Sequence, residues 1–211
     1  MYLVKGLGNT LIMTLLAVII GIVLGFLIAI VRSTYDKTGK LKLLNGICKV
    51  YLTVIRGTPV MIQLLIMMYV VFGSVNVPKL LVAVIAFGVN SGAYVAEIVR
   101  SGIMSVDNGQ MEAGRSLGLN YRQTMISIIM PQAFKNILPA LANEFIVLLK
   151  ETSICGYIGM MDLTKGGDII RSRTYEAFMP LIAVALIYLV LVLALSALVG
   201  RLERRLRTSE R

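Results

Sequence analysis

The sequence has no histidine, no tryptophan, only two cysteines and only five prolines. Without histidine, a serine–histidine hydrolytic dyad and any histidine-ligated metal site are excluded. No GxxxxGK[ST] stretch occurs, so the chain does not hold ATP through a phosphate loop of that kind. Charge is scarce as well. Only 15% of the 211 residues are charged, against about 25% in a soluble domain. Acids are scarcest: 11 against 21 lysines and arginines, a net charge of +10. In a soluble protein such an excess raises nucleic acid as a partner. In a membrane protein it follows from the gathering of lysine and arginine in cytoplasmic loops.

What is abundant is apolar sequence, at 57%. It lies in long, nearly uncharged runs separated by short charged stretches, the pattern of a polytopic membrane protein. The first run, Gly6 to Val31, is about 26 residues, or roughly 39 Å as a helix. It is too long for a secretory signal peptide, and no A-x-A-like site follows it. The expected architecture is all-α. A single membrane domain over 1–211 holds about five spans near 8–31, 55–73, 80–99, 124–149 and 179–200. Gly21 and Gly25 form a GxxxG that permits close helix approach. Residues 32 to 56 read as a basic loop, whose last part, Tyr51 to Arg56, can be a helical lead-in to the second span, 73–79 as a short turn and 151–178 as a long mixed loop. Pro131 and Pro139 are expected to break or kink the fourth span.

Charge alternates by side. Arg32, Lys37, Lys40, Lys42, Lys49 and Arg56 follow the first span. Arg100, Arg115 and Arg122 follow the third. Arg201, Arg204, Arg205, Arg207 and Arg211 follow the fifth. The asymmetry puts these three groups in the cytoplasm, the N-terminus outside and the C-terminus inside. Cys48 and Cys155 then fall on opposite sides, which predicts free thiols.

The most specific motif is EAGRSLGLNYRQTMISIIMP, Glu112 to Pro131. Glu112 to Leu117 can form a short helix, Gly118 is a natural terminator in left-handed geometry, and Asn120 is a good N-cap for a second helix. The plainer reading is an amphipathic interfacial helix, which usually carries more cationic charge and a cleaner apolar face. The stretch resembles the signature loop of ABC importer membrane subunits: EAA, three residues, Gly, nine residues, then I-x-L-P. Glu112, Ala113 and Gly114 stand for EAA, and Gly118, Ile128 and Pro131 fall on the family spacing. Gly114 replaces the usual Ala, and Met130 the usual Leu.

Other stretches resemble the polar amino-acid subfamily, whose substrates include histidine, glutamate, glutamine, arginine and opines. They are Gly8-Asn9-Thr10-Leu11; Tyr51 with Arg56-Gly57-Thr58-Pro59 and Gln63; Ser91-Gly92-Ala93-Tyr94 with Glu97 and Arg100; Gly109-Gln110; and Lys150-Glu151-Thr152-Ser153. Together they cover nearly the whole chain. The resemblance implies a coupling loop near 107–122, in which Glu112, Ala113, Gly114 and Gly118 dock on an ATPase subunit.

Polar residues inside spans should face a cavity or a partner. Asn90, Tyr94 and Glu97 share one face of the third span. Gln132, Asn136, Pro139 and Asn143 lie close to one face of the fourth. The two stripes suggest a polar pathway, with inter-helix hydrogen bonding as the plainer alternative. Glu97 is expected to pair with Arg100 or Arg56. Thr152, Ser153 and Asp162 are placed at the outer mouth, and Asp162 with Glu144 would suit a cationic substrate. The candidate pathway is thus Asn90, Tyr94, Glu97, Asn136, Asn143, Glu144, Thr152, Ser153 and Asp162.

The resemblance implies ATP-driven import of a polar amino acid, such as arginine or glutamine, across a prokaryotic cytoplasmic membrane. The expected partners are two ATPase subunits, a second permease subunit, identical or related, and an extracytoplasmic solute-binding protein; no nucleic acid is expected. No cofactor or metal is expected on this chain, since ATP and magnesium belong to the ATPase, and no catalytic residue. An ion-coupled secondary transporter or channel is the alternative, but no internal repeat of spans is present. An intramembrane enzyme and an assembly scaffold are weaker alternatives; a scaffold leaves the EAA-like spacing unexplained.

Overall fold

A computed structural model describes residues 1–208; Arg211 of the basic tail lies outside the described residues. The elements are α1 (Tyr2–Thr38), α2 (Lys42–Gly57), α3 (Val60–Ile66) continuing into a π turn (Met67–Val71), α4 (Lys79–Met104), α5 (Asn108–Ser116), α6 (Tyr121–Thr124) continuing into a π turn (Met125–Ile129), α7 (Met130–Glu151), a 3₁₀ segment (Thr152–Ile158), α8 (Leu163–Thr174) and α9 (Phe178–Thr208).

Helix α4 forms the centre. In its most apolar stretch 72% of the residues are buried, against 6% in α9. Its partner is α1, and small residues set how closely the two approach. A Cβ on Gly21 would lie 2.7 Å from Ser91 Oγ, and one on Gly25 2.4 Å from Val95 Cγ1. The predicted GxxxG is therefore a contact surface with α4. Phe87, Met13 and Leu64 fill the core around this crossing. Ala133 and Ile137 of α7 pack on Val95 and Val99 of α4. Leu15, Ile19, Val23 and Leu27 of α1 and Leu186, Leu189, Val190 and Leu193 of α9 are exposed. An outward apolar surface of that kind is what a bilayer solvates.

Among the described residues four helices are long and apolar enough to cross a membrane, and a fifth crossing requires counting α2 with α3 as one bent pair. This corrects the second span. Residues 55–73 do not form one rod. The chain is helical from Lys42, breaks at Thr58-Pro59 and turns by 110°. Pro59 has no N–H to continue α2 and disfavours helical backbone at Thr58. Much of the supposed basic loop is accordingly helix: α1 runs on to Thr38, and α2 begins at Lys42.

The fourth span is also longer and less interrupted than expected. Tyr121 to Ile158 reads as one span. Pro131 sits in the first turn of α7, just after the π turn Met125–Ile129. That wider turn relieves the clash that a proline ring makes with the preceding turn. Pro139 lies inside α7 without ending it. Nor is 151–178 a loop. It folds into the 3₁₀ segment and α8, which pack against the start of α1: Asn9 Nδ2 donates to Met161 O at 2.7 Å, and Leu163 N to Thr10 Oγ1 at 3.1 Å. Both cysteines are free, with Cys155 Sγ 3.3 Å from Met13 Sδ.

Candidate functional site

The α5–α6 segment is a rigid corner specified by its own sequence. Asp107 caps α5 by accepting from Gly109 N at 2.6 Å. At the other end Gly118 has φ +83°. Gly118 N donates to Arg115 O at 3.0 Å and Leu119 N to Gly114 O at 3.1 Å. These two bonds form a Schellman motif, which satisfies the last carbonyls of α5. Two residues later Asn120 opens α6 with a capping box: Gln123 N donates to Asn120 Oδ1 at 3.0 Å, and Asn120 N to Gln123 Oε1 at 2.9 Å. The two short helices thus meet at a fixed angle.

Gly114 faces inward. A Cβ there would lie 2.5 Å from Thr124 Cγ2. The departure from Ala noted in the sequence is therefore matched by the close approach of a β-branched residue from α6. Glu112, Ala113 and Gly118 are exposed, as is Leu117 at 80%. Leu117 and Thr124 were not among the sequence candidates. An apolar residue directly before the terminating glycine is the signal that points to the first.

The two long helices beside the corner are tied to each other and to it. Asn136 Nδ2 of α7 donates to Ser105 Oγ, the residue that caps α4, at 2.9 Å. Gln132 Nε2 reaches Ile128 O at 3.0 Å and Gln110 Oε1 at 3.5 Å.

The intramembrane polar residues form separate pairs. Asn90 Nδ2 donates to Gln63 Oε1 at 2.8 Å. Gln63 Nε2 in turn reaches Ile55 O at 2.7 Å, Thr58 Oγ1 at 2.8 Å and Thr58 O at 3.1 Å. One amide thereby serves the backbone groups freed by the break between α2 and α3. Tyr51 OH donates to Val89 O. Ser91 Oγ donates to Glu144 Oε1 at 2.9 Å, and both residues are buried. Asn143, beside Glu144 in sequence, is exposed.

Glu97 has both expected partners, Arg56 at 3.5 Å and Arg100 at 3.7 Å. The Arg56 guanidinium also lies 5.8 Å from the Tyr94 ring. Asn136 stands at the corner end of α7, away from Glu144. The two stripes are thus not one continuous file within this chain.

At the opposite end, Thr152 is buried and donates to Leu149 O at 2.8 Å. Ser153 lines a recess of about 320 Å³ with Lys150, Thr164 and Tyr188. Asp162 is fully buried and caps α8, accepting from Thr164 N at 3.2 Å and Lys165 N at 3.1 Å. Burial pushes its carboxyl above the usual range, and the backbone donors offset only part of that rise. This corrects the outer-mouth placement, because its oxygens are already taken by the first amides of α8.

The family described as binding-protein-dependent transport system inner membrane component matches residues 17–208. A putative glutamine transport system permease protein of Rickettsia bellii is 38% identical, the match covering 99% of this chain and 94% of that protein. The arginine transport system permease protein ArtQ of Bacillus subtilis is 38% identical, with 99% and 94% covered. A crystal structure of an amino acid ABC transporter with histidines superposes with a TM-score of 0.90 at 46% identity, over 97% of this chain and 94% of that one. The MetNI methionine ABC transporter in inward-facing conformations gives 0.78 at 21% identity, over 97% and 95%, a likeness of fold.

Proposed function

The chain belongs to the binding-protein-dependent transport system inner membrane components, and from that premise we propose how this permease subunit of an ABC importer couples ATP hydrolysis elsewhere to movement of a polar amino acid. The single observation carrying the proposal is the α5–α6 corner. It is locked at Gly118 and Asn120, offers Glu112, Ala113 and Leu117 outward, follows directly on α4 in the chain, and is hydrogen-bonded to α7 through Gln110 and Gln132. A partner ATPase that grips the outward face moves both helices as one lever. Those helices carry Asn90, Tyr94 and Glu97 on one side and Asn136, Asn143 and Glu144 on the other. The ion-coupled alternative is not favoured.

The Glu97 cluster is half-exposed, with side-chain exposures of 37–45%. Such pairs are worth about 1 kcal/mol or less. They can therefore be remade as α4 moves, whereas the buried Ser91–Glu144 bond travels with the packed α4–α7 pair. The chemistry of hydrolysis belongs to the ATPase, with its ATP and magnesium; this chain contributes no reacting group.

The substrate is a polar amino acid, glutamine or arginine in the first instance, as the relatives' names suggest. The assembly is two permease subunits on two ATPase subunits, with a solute-binding protein at the face opposite the corner. The corner and the basic C-terminal tail lie in the cytoplasm and the N-terminus lies outside, a reading supported by the lysines and arginines gathered after the first, third and fifth spans.

The test is reconstitution of the chain with its ATPase in vesicles, reading ATP hydrolysis and uptake of labelled arginine, glutamine and glutamate. Gly118→Pro cannot adopt a φ of +83° and is expected to abolish uptake while the chain still inserts. Uptake that is independent of ATP and indifferent to this change overturns the reading.

A further inference from the structure

A basic pocket of about 610 Å³ lies between α1, α2 and α4, lined by Arg32, Lys49, Leu52, Thr53, Arg56 and Tyr94. It is separate from the coupling corner and from the Ser91–Glu144 and Gln63–Asn90 pairs. Three cations from two helices converge on it. Glu97 is the acid that faces Arg56, and it is shared with Arg100, so the lining keeps a positive excess. Arg32 Nε is shielded from solvent and has no hydrogen-bond partner among the described residues. A buried guanidinium donor left unpaired is unfavourable, and a phosphate oxygen is the acceptor that suits it.

The pocket is also flanked by apolar surface. On α2, Lys42, Lys49 and Arg56 recur every seven residues and so share one face. The next face carries Leu43, Ile47, Val50 and Val54, exposed at 79, 57, 64 and 52%, and these four border a groove with almost no polar surface. The helix is turned 110° from α3. Cations on one face and aliphatics on the next describe a helix lying in the interface, with headgroups on one side and acyl chains on the other. Lys49 Nζ lies 6.0 Å from the Tyr35 ring, and tyrosines are characteristic of that depth.

We propose that Arg32, Lys49 and Arg56 hold the phosphate of an anionic glycerophospholipid, whose acyl chains lie along Leu43, Ile47, Val50 and Val54. The lipid would order the α1–α2 connection and pin α2 at the membrane surface beside the Arg56–Glu97 pair.

The experiment is native mass spectrometry of the intact transporter, titrated with phosphatidylglycerol or with phosphatidylcholine of the same chains. Phosphatidylglycerol is expected to bind more tightly. Arg32→Gln with Lys49→Gln is expected to weaken it about 25-fold, about fivefold for each cation near an anionic surface. Arg201→Gln with Arg205→Gln removes the same charge from α9 and is expected to change binding less than twofold. Equal binding of the two lipids, or equal losses in the two double variants, overturns the proposal. Displacement of the lipid by an equimolar amount of inorganic phosphate does so too, since the pocket is then a bare anion site. So does efficient disulfide cross-linking of Val50→Cys between two copies of the chain in a Cys48→Ser background, which makes the groove an interface between copies.

Discussion

Replacing Gly114 by alanine sets two opposing effects against each other at the coupling corner. Glycine inside a helix is less favourable than alanine by about 1 kcal/mol, so α5 alone gains from the change. The new methyl, however, lies 2.5 Å from Thr124 Cγ2 and 2.9 Å from Thr124 Oγ1, where carbon atoms prefer about 3.5–4.0 Å. Relief requires α6 to move away by about 1 Å, or Thr124 to rotate and give up its 3.1 Å bond to Asn120 O. Overpacking of this size costs about 1–3 kcal/mol. The net is a local destabilisation of about 1 kcal/mol, roughly a fivefold rise in opening.

The Leu119 amide, which closes the Schellman motif, is the reporter. Hydrogen exchange across residues 112–124 should quicken about fivefold in Gly114→Ala and return towards wild type when Thr124→Ser removes the offending methyl. ATP-driven uptake should fall and recover in step. Exchange in Gly114→Ala equal to or slower than wild type would refute the packing argument. A failure of Thr124→Ser to restore it would show that the strain lies elsewhere.

Three further outcomes follow from the structure. Gln63→Leu removes the amide that serves Ile55 O, Thr58 and Asn90, leaving two or more polar groups unpaired. It should lower stability by about 2–3 kcal/mol, read as a drop in the thermal unfolding midpoint in detergent. Asp162→Ala loses the α8 cap and should cost about 1 kcal/mol, whereas Asp162→Asn keeps a capping oxygen and should be neutral or stabilising at high pH. The sign follows from the raised carboxyl: its stabilising share is complete below the ordinary aspartate value and is lost as pH rises through the folded value, a dependence that unfolding scans should find in wild type and not in the Asn variant. A double-mutant cycle of Arg56→Gln and Glu97→Gln should give a coupling below about 1 kcal/mol, and a larger value would mean the cluster is a structural clamp rather than a movable contact.

What could be read in the sequence was what local chemistry decides. Gly118 and Asn120 announce their turn and cap within a few residues, and the structure places both there. Glu97 lies three residues from Arg100, so one of its partners was legible, and the other was named with it. The end of α2, from Tyr51 to Arg56, is legible as a helical lead-in, but its start at Lys42 is hidden by lysines that read as loop charge, although Leu43, Ile47, Val50 and Val54 recur at helical spacing. The α8 segment depends on contacts from Asn9 and Thr10, more than 150 residues away, which periodicity does not report. Asp162 was misread for the same reason. Its cap needs a helix that only the packed structure reveals.

The break at Thr58-Pro59 has one more consequence. Beyond it, α3 and its π turn amount to seven and five residues, about 18 Å of helical rise, whereas α1 has 37 residues, or about 55 Å. A bilayer about 30 Å thick in its hydrocarbon core cannot match both. Where α2 does not complete the crossing, the bilayer beside α3 thins or admits water, while α1 overshoots. The low-dielectric barrier facing a zwitterion is therefore shortest beside α3, and transport by this chain should respond to acyl-chain length as well as to ATP.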